Sequence, residues 1–482
     1  MDRTAEKPLH QQITEQIRSA VHTGGLRARD AIPASRQLAQ QLGVSRAVVL
    51  EAYEQLRSEG YLCARHGAGT FVNSVAADAP GPAGHADAGP RASPPDVGWT
   101  SAPVIPSPRD HARETDVLDL RPNIPDLRRF PLSRWQRALV QACQGLGALG
   151  LERGCPQGSP RLRDEIARHL RLTRAVPVTA DQVVVTNGTS DGLELTTALL
   201  LRPGDTVLTE DPLPPAARAV LDRAGARAIA VPVDAAGMRT QDIGPRLREC
   251  GVRPDEVRAL YLAPQRQPLT GALLSARRRE WLARWAEAHR ATVVEVDYCG
   301  EFCAPEEKLP AIAGMAPANT IHVGSFTKTM FPALGMGYLA MPTTTAERLL
   351  DGGLLASRRS SPEQEAMADF LASGAYSRHV ANMARLYRGR LDRTLDALRR
   401  LGSGLLRPYT GTGLHLMVDV DRPRTEVGIA EAALAHGVRV HPVSAHYRAL
   451  EPGLPAFLLG YGAVPEDRLE EGVRRLVRAL GG

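Results

Sequence analysis

The chain has 482 residues, of which 43% are hydrophobic, so it is long enough for two or three domains with sizeable cores. Its net charge of +6 permits a polyanionic partner without requiring one. No apolar run reaches the roughly 18 residues of a membrane-spanning helix, and no signal-peptide pattern opens the chain, so we expect a cytoplasmic protein without membrane association. Six scattered cysteines without a CxxC pair favour reduced thiols over disulfides or a metal site.

Residues 1–73 have the pattern of a helix-turn-helix followed by a hairpin. Apolar residues recur at steps of four from Leu9 to Val21, which predicts an amphipathic helix. Two shorter helices follow, joined by a turn at Gly43, and the second opens at Ser45. The next stretch, "YLCARHGAGTFV", predicts two short strands around a glycine-rich tip, which is typical of a wing.

The second of the two shorter helices would enter the major groove of DNA by its N-terminal residues, where a hydroxyl and a guanidinium suit phosphate or guanine. Further phosphate contacts are expected at the start of the preceding helix and in the wing backbone. The predicted DNA-binding residues are Arg36, Ser45, Arg46, Ala47, Gly67 and Gly69. The alternative is a small helical docking module, because nine basic against seven acidic residues in this segment do not by themselves select DNA.

Residues 74–115 form a Pro/Gly/Ala-rich segment without apolar periodicity, which predicts a linker. From 116 to 482, short apolar strands alternate with helical patterns, which predicts an α/β fold around a mostly parallel sheet. The clearest strand patterns are "QVVVTNG", "DTVLTED", "ALYLAP", "ATVVEVD" and "TIHVGSF". Ligands bind beyond the carboxyl ends of strands in such sheets, so the polar residues that follow these strands are the candidates for function.

One of these candidates is a lysine in a chain that otherwise uses arginine. Lys7, Lys308 and Lys328 are the only lysines among 59 basic residues. Arginine cannot replace lysine where a neutral amine must react, because the guanidinium group stays protonated. Lys328 lies in "GSFTKTM", directly after a predicted strand and beside Ser325 and Thr327, which suits Schiff-base formation. The two hydroxyls could hold a phosphate or the lysine itself.

Two further strand ends carry groups that a pyridoxal cofactor would use. "TNGTSDG" lies between a strand and a helix, so the backbone at Gly188 with the hydroxyls of Thr189 and Ser190 forms a candidate phosphate cradle. Asp297 ends another strand and precedes Tyr298, and an acid opposite a pyridine nitrogen keeps that ring protonated and electron-poor. A helix cap and a structural Asp-Tyr pair are the ordinary alternatives for these features taken singly.

The N-terminal segment resembles the GntR-type winged helix, and the match includes "PASRQLAQQLGVSRAVV" and "GAGTFV". This resemblance implies binding to a double-stranded DNA operator. Residues from 117 to 480 resemble the aminotransferase-like domain of fold-type I pyridoxal-phosphate proteins. Joined to a GntR-type winged helix, this is the layout of the MocR subfamily of transcription regulators.

The motifs that carry the second resemblance are "LRPNIPDLRRFPLSRWQRAL", "GCPQGSPRLRDEIARHL", "VVVTNGTSDGLEL", "VLTEDPLP", "YLAPQRQPLTG", "VVEVDYCGEF" and "GSFTKTMFPALGMGYL". The resemblance implies a large domain with a smaller C-terminal α+β subdomain and a head-to-tail homodimer. It also implies pyridoxal 5′-phosphate held by Lys328 as an internal aldimine, with Asp297 on the ring nitrogen and Tyr298 on the phenolic oxygen. Gln267 lies in a further pocket motif and is predicted to contact the cofactor.

This chain departs from the family pattern inside the pocket. Gly335 stands where the family has an arginine that binds the cofactor phosphate, and Pro214 stands where an aromatic residue stacks on the ring. An "EDDY" run reads Glu295-Val296-Asp297-Tyr298, so either Asp297 or its neighbour is the expected ring partner. Loss of one charged phosphate contact costs about 1.5–3 kcal/mol, which weakens binding roughly 10- to 150-fold.

Three functions remain open from the sequence. The preferred one is a transcription regulator that senses pyridoxal phosphate, another B6 vitamer or an amino compound through Lys328. The second is a regulator with a degenerate large domain that no longer binds the cofactor. The third and least favoured is an aminotransferase, because the closing strand "PAFLLGYG" lacks the arginine that would orient a substrate carboxylate.

Overall fold

The structure is a computed structural model. It describes residues 7–65, 69–73, 117–147, 154–304, 307–355, 360–402, 404–411, 413–447 and 454–481. Two compact units, residues 1–106 and 107–482, divide the chain. The predicted linker and Gly67 of the predicted wing lie outside the described residues.

The N-terminal unit is a winged helix-turn-helix. Its elements are α1 (Leu9–His22), β1 (Ala31–Ile32), α2 (Ser35–Leu42), α3 (Arg46–Ser58), β2 (Leu62–Arg65) and β3 (Gly69–Val72). The strands pair antiparallel in the order β1-β3-β2. The predicted helices and wing strands are thus confirmed, whereas the two-residue strand β1 is too short for an alternation pattern and was not predicted.

Local chemistry explains the turn and the start of α3. Gly43 ends α2 with a φ of 64°, a left-handed conformation that glycine adopts without steric cost. Ser45 caps α3, since its hydroxyl accepts a hydrogen bond from the backbone N–H of Val48 at 3.4 Å. Val49 and Leu56 are fully buried, so one face of α3 packs on the unit's core and its first turn stays exposed.

The C-terminal unit is built on an eight-stranded sheet. Its strands are β5 (Val183–Thr186), β6 (Thr206–Asp211), β7 (Arg227–Asp234), β8 (Gly237–Met238), β9 (Val257–Leu262), β10 (Thr292–Asp297), β11 (Thr320–Ser325) and β12 (Gly337–Ala340). The order is β5-β12-β11-β10-β9-β6-β7-β8. The pairs between β11 and β7 are parallel, whereas β12 runs antiparallel to β5 and β11, and β8 runs antiparallel to β7. The prediction of an α/β fold with a mostly parallel sheet is confirmed.

Helices cover this sheet, and the central strands are accordingly buried along nearly their whole length. The helices are α4 (Leu132–Gly145), α5 (Pro160–Arg174), α6 (Thr189–Leu200), α7 (Pro215–Arg223), α8 (Ile243–Glu249), α9 (Ala276–Ala288), α10 (Ile312–Met315), α11 (Thr343–Asp351), α12 (Ser361–Ala372) and α13 (Ala375–Leu401). Among the described residues, no helix is both long enough and apolar enough to cross a membrane.

The C-terminal part forms the smaller α+β region that was predicted. Its elements are β13 (Leu406–Pro408), β14 (His415–Val420), α14 (Glu426–Ala435), β15 (Val438–Arg439), β16 (His441–Pro442), β17 (Ala456–Gly460) and α15 (Glu466–Ala479). Strands β13-β14-β17-β16 form an antiparallel sheet, and β15 pairs in parallel with β4 (Leu118–Asp119). A buried ion pair of 2.7 Å between Arg390 and Asp126 ties α13 to the segment that follows β4.

The strand directions decide where a ligand site can form. Strand β5 runs in the same direction as β11, because both are antiparallel to β12. The carboxyl ends of β5, β10 and β11 therefore meet at one edge of the sheet. The predicted residues that follow these strands, from Gly188, Asp297 and Ser325 onwards, lie at this edge.

Candidate functional site

The predicted DNA-binding residues lie at the exposed starts of two adjoining helices. Ser45, Arg46 and Ala47 are exposed at the start of α3, and Arg36 is exposed in the first turn of α2. Arg46 Nε donates a hydrogen bond to Ser35 Oγ at 3.3 Å, which joins the two helix starts. Gly69 begins the second wing strand, whereas Gly67 lies outside the described residues.

The sequence reasoning missed one exposed apolar residue on α3. Leu50 follows Arg46 by one helical turn and is 45% exposed, although the neighbouring Val49 is fully buried. An exposed apolar side chain on a groove-reading helix suits contact with a thymine methyl group. The signal was present in the sequence, since Leu50 falls off the periodicity that marks the buried face of α3.

The turn that carries Lys328 is pinned from both sides. The backbone N–H of Phe326 donates to the carbonyl of Met336 at 2.9 Å, and that of Met330 donates to the carbonyl of Phe326 at 2.8 Å. His379 from α13 hydrogen-bonds the carbonyl of Thr329 at 2.9 Å. The backbone on both sides of Lys328 is therefore fixed, and the half-buried lysine side chain projects from a defined position.

The amine of Lys328 lies among uncharged groups. Lys328 Nζ donates a hydrogen bond to Asn123 Oδ1 at 2.7 Å and lies 4.7 Å from the centre of the Tyr298 ring. Burial, reinforced by the Lys328 charge, lowers the pKa of His415 to about 3, so this imidazole is neutral near pH 7. Burial likewise raises the pKa of the Cys299 thiol, against the opposing influence of Lys328. Asn123, Cys299 and His415 were not among the predicted site residues. Asn123 and His415 come from distant segments, and a lone cysteine after Tyr298 gave no sign of a role beside the lysine.

Tyr298 is half-buried and contacts a second set of neutral groups. Its hydroxyl is 2.7 Å from the hydroxyl of Tyr261 on β9, and burial raises the pKa of Tyr298 to about 12. Burial also raises the pKa of Glu210 on β6 to about 8, although the backbone N–H of Ala263 donates to its carboxyl group. Tyr298 is thus protonated at neutral pH and can hydrogen-bond an oxygen of a ligand at Lys328.

The residues of the candidate phosphate cradle lie together at this edge of the sheet. Their role in binding a phosphate stays a prediction. Gly188 has a φ of 85° and precedes α6, whose first residues are Thr189 and Ser190. A Cβ atom placed on Gly188 would lie 3.9 Å from the methyl group of Thr327, which brings the turn after β5 beside the turn after β11. Ser325 Oγ and Thr327 Oγ1 are hydrogen-bonded at 2.7 Å. A helix N-terminus and several hydroxyls therefore converge here.

The charge of this cradle is less favourable for a phosphate than its shape. Gly335 has a φ of 54° and brings no side chain to this edge, so the expected arginine contact is missing, and its carbonyl oxygen lies 3.8 Å from the Cβ position of Gly188. Asp191 accepts a hydrogen bond from the backbone N–H of Asn187 at 2.7 Å, which puts a carboxylate in the first turn of α6. A phosphate would depend on backbone N–H groups and hydroxyls here.

The structure places Asp297 in a buried ion cluster. Its carboxylate accepts hydrogen bonds from Arg174 Nε at 2.7 Å and from the backbone N–H of Gly300 at 2.7 Å. Arg174 Nη2 also donates to Glu301 Oε1 at 3.0 Å, and His169 Nε2 lies 2.8 Å from the same oxygen. Burial acts against the ionised carboxylates, but Arg174 outweighs it and holds the pKa of Asp297 and of Glu301 below the usual range.

The pleat of β10 decides which of its residues a ligand can meet. Alternate side chains of a strand point to opposite faces. Val296 packs in the apolar cluster against which Tyr298 also packs, whereas Asp297 points to Arg174 on α5. Lys328 lies against the Tyr298 ring, on the face of β10 that carries Val296. Asp297 points to the opposite face, so the geometry gives no support to Asp297 as the acid that contacts the ring nitrogen of a ligand.

Two other positions named from the sequence, Gln267 and Pro214, have structural roles. Gln267 is fully buried, donates from Nε2 to the carbonyl of Pro212 at 2.7 Å and accepts at Oε1 from the backbone N–H groups of Leu269 and Thr270. Pro214 precedes α7 and brings no aromatic ring to the pocket. Among the described residues, no group of three His, Cys, Asp or Glu side chains could hold a metal ion.

Comparison with known proteins supports this division of the chain. Residues 9–72 match the family of bacterial regulatory proteins of the gntR family, and residues 115–476 match aminotransferase class I and II. The HTH-type pyridoxine biosynthesis transcriptional regulator PdxR of Corynebacterium glutamicum is 34% identical over 464 residues, covering 95% of this chain and 93% of that protein. The chain belongs to the MocR-type GntR regulators.

Further comparisons agree with membership of the MocR-type regulators. The probable rhizopine catabolism regulatory protein MocR of Rhizobium meliloti is 30% identical over 487 residues, covering 100% of this chain and 95% of that protein. A crystal structure of Pyrococcus horikoshii kynurenine aminotransferase matches with a TM-score of 0.70 and 23% identity, covering 77% of this chain and 93% of that chain. At this identity the structural match shows the fold alone.

The buried ion cluster around Arg174 predicts how the stability of the C-terminal unit depends on pH. Arg174→Met leaves two buried carboxylates without their cation, so we expect the C-terminal unit to lose about 3–5 kcal/mol of unfolding free energy near pH 7. In the native protein both acids have a lowered pKa, so their contribution to the free energy of unfolding is complete above pH ~5 and is lost as the pH falls below that. In the variant, burial without Arg174 raises both pKa values, so its deficit shrinks as the pH falls from about 7.5 to about 5.

Urea unfolding followed by tryptophan fluorescence measures this effect, since Trp135, Trp281 and Trp285 lie in the C-terminal unit. Arg168→Met on the same helix is the matched control, because Arg168 is half-exposed and its ion pair with Glu165 lies near the surface, so its loss costs about 1 kcal/mol or less. Equal stability of the two variants, or a deficit that grows on acidification, would contradict the assignment.

Proposed function

We propose that this chain is a DNA-binding transcription regulator whose aminotransferase-like unit senses a small ligand through Lys328. The observation that carries the proposal is the position of the lysine amine on a pinned turn, beside Tyr298 and at the same sheet edge as the candidate cradle. An amine held among neutral groups can condense with a carbonyl compound. The regulatory output rests on the exposed start of α3 in the winged helix.

Pyridoxal 5′-phosphate is the ligand that these residues suit best. Lys328 would take its aldehyde, Tyr298 its phenolic oxygen, and the N-terminus of α6 with Gly188, Thr189 and Ser190 its phosphate. The Ser325 hydroxyl would donate a further hydrogen bond to the phosphate group. The name of the related pyridoxine biosynthesis regulator supports a B6 vitamer as the ligand. When bound, this cofactor supplies an electron-poor aldehyde to amino compounds, which makes an amino compound the second class of effector.

The same pocket supports sensing better than turnover. A carboxylate on the ring nitrogen is what makes the pyridoxal ring an electron sink, and Asp297 is engaged by Arg174 instead. With Val296 on the face toward Tyr298, the pocket can hold the ligand without strongly activating it. A regulator needs differential binding between two states, whereas an aminotransferase needs an activated and oriented substrate.

Regulation would follow from linkage between the two units. If a ligand at Lys328 binds one DNA-binding state more tightly than another, then DNA must change the ligand affinity by the same factor. A homodimer is part of the proposal, because two winged helices can then read two half-sites of one operator. The competing function, a regulator whose large unit no longer binds the cofactor, predicts no such coupling to pyridoxal phosphate.

The role of Lys328 can be tested by trapping the bound ligand. Incubation with pyridoxal 5′-phosphate followed by borohydride reduction should add one pyridoxyl group per chain, because reduction makes the bond between the amine and the aldehyde carbon permanent. Lys328→Ala should lose this mass increase and the accompanying visible absorption. Lys308→Ala is the matched control and should retain both, and intact-mass spectrometry measures the outcome.

The small number of lysines makes the result easy to interpret, since Lys7 and Lys308 are the only other side-chain amines. A wild-type protein that takes up no pyridoxal phosphate would favour the degenerate-domain alternative. Rapid transfer of an amino group to a keto acid would favour the enzyme.

The role of α3 in DNA binding can be tested by substitution at its two ends. Arg46→Ala should weaken binding to double-stranded DNA, selected from a random pool by the wild-type protein, by about 5- to 150-fold. The reason is the loss of one guanidinium contact to guanine or phosphate. Arg57→Ala, in the last turn of α3, should stay within about twofold of wild type. Fluorescence anisotropy measures both affinities, and equal losses in the two variants would exclude α3 as the helix that enters the groove by its N-terminus.

A further inference from the structure

We propose that Asn123 is a positioning residue that restrains the Lys328 amine and thereby sets how readily the amine reacts with a carbonyl ligand. This inference rests on the proposed function, in which Lys328 is the ligand-binding amine. Its basis is the hydrogen bond of 2.7 Å from Lys328 Nζ to Asn123 Oδ1. Asn123 and Lys328 are 205 positions apart in the chain, so only the fold brings them together.

The backbone at Asn123 is held in a special conformation. Asn123 has a φ of 64°, in the left-handed region that few residues other than glycine and asparagine adopt readily. The surrounding segment is held against β17, because the backbone N–H of Gly460 donates to the carbonyl of Leu120 at 2.8 Å. The packing is close, since a Cβ on Gly460 would lie 1.8 Å from the carbonyl oxygen of Arg121. The Asn123 side chain is therefore directed at Lys328 from a fixed backbone.

The chemistry of the amide oxygen explains the restraint. Asn123 Oδ1 is a hydrogen-bond acceptor without charge, and a bond to an ammonium group is stronger than one to a neutral amine. Condensation requires a neutral amine. The amine nitrogen bonds to the carbonyl carbon, the carbonyl oxygen leaves as water with the two amine hydrogens, and a C=N bond forms. Lys328 must give up its bond to Asn123 and a proton before this step. Asn123 therefore opposes the reaction until a ligand competes for the lysine.

The other groups beside the amine do not replace this role. The Cys299 thiol also interacts with Lys328, but a thiol is a weak hydrogen-bonding group. His415 is neutral and its Nε2 is engaged with the carbonyl of Pro268 at 2.7 Å. The Tyr298 hydroxyl is engaged with Tyr261 at 2.7 Å. The Tyr298 ring face attracts the ammonium weakly and in a direction that does not fix a single rotamer. Asn123 supplies the directional contact.

The test measures the rate of adduct formation with full-length protein, using pyridoxal 5′-phosphate and, separately, phosphate-free pyridoxal, each trapped with borohydride and read by intact mass. Asn123→Gly keeps the left-handed backbone and removes the acceptor, so the rate should rise about tenfold and the pH–rate profile should move to lower pH. Asn123→Asp gives the ammonium a charged partner, so the rate should fall about tenfold and the profile should move to higher pH. Thermal unfolding shows whether all three proteins are equally folded.

The outcomes separate this inference from the proposed function. Equal rates in wild type and both variants would overturn the role of Asn123 and leave Lys328 as the ligand-binding residue. Adduct formation in Asn123→Gly alone would support the restraint and would show that the wild-type site is not open to this aldehyde. Absence of any adduct at Lys328 in all three proteins would overturn both. A slower reaction in Asn123→Gly would show that the amide assists the amine instead of restraining it.

Discussion

The alternation of side chains along β10 constrains what this protein can do with a ligand. One face of the strand carries Val296 and is continued by Tyr298, whose ring lies against Lys328. The other face carries Asp297, which is paired with Arg174. A shift of one residue would exchange the two faces, but the parallel pairing with β9 and β11 fixes the register over most of the strand. The acid next to the tyrosine is therefore committed to the protein interior.

In the proposed function, this commitment favours ligand binding over catalysis at the Lys328 site. The lysine, the tyrosine hydroxyl and the helix N-terminus suit a phosphorylated aldehyde, and each is positioned by the sheet edge that the fold family uses for ligands. Val296 stands on the face of β10 toward Tyr298, and Gly335 stands where the family pattern has an arginine. The remaining site is mostly neutral, as the lowered pKa of His415 and the raised pKa of Glu210 illustrate. A neutral site of this kind fits a sensor in a family of regulators.

Local patterns predicted much of the fold and only part of the site. The periodicity of α3, its serine cap and the turn at Gly43 are short-range features, and the structure has them where the sequence placed them. The Lys328 turn was found because lysine is rare here and follows a strand. Asn123 and Arg174 could not be found in this way, because their roles depend on contacts between segments more than 100 residues apart. The orientation of Asp297 was also beyond a one-strand pattern, since Arg174 on a distant helix selects it.

The central claim is that a ligand at Lys328 changes the affinity of the winged helix for DNA. Titration of the selected operator with and without saturating pyridoxal 5′-phosphate, in wild type and Lys328→Ala, tests it directly. The claim predicts a change in the wild-type affinity of about 5- to 150-fold, in either direction, and no change in the variant. An operator affinity that is the same with and without the ligand in the wild-type protein, despite demonstrated binding at Lys328, would contradict it.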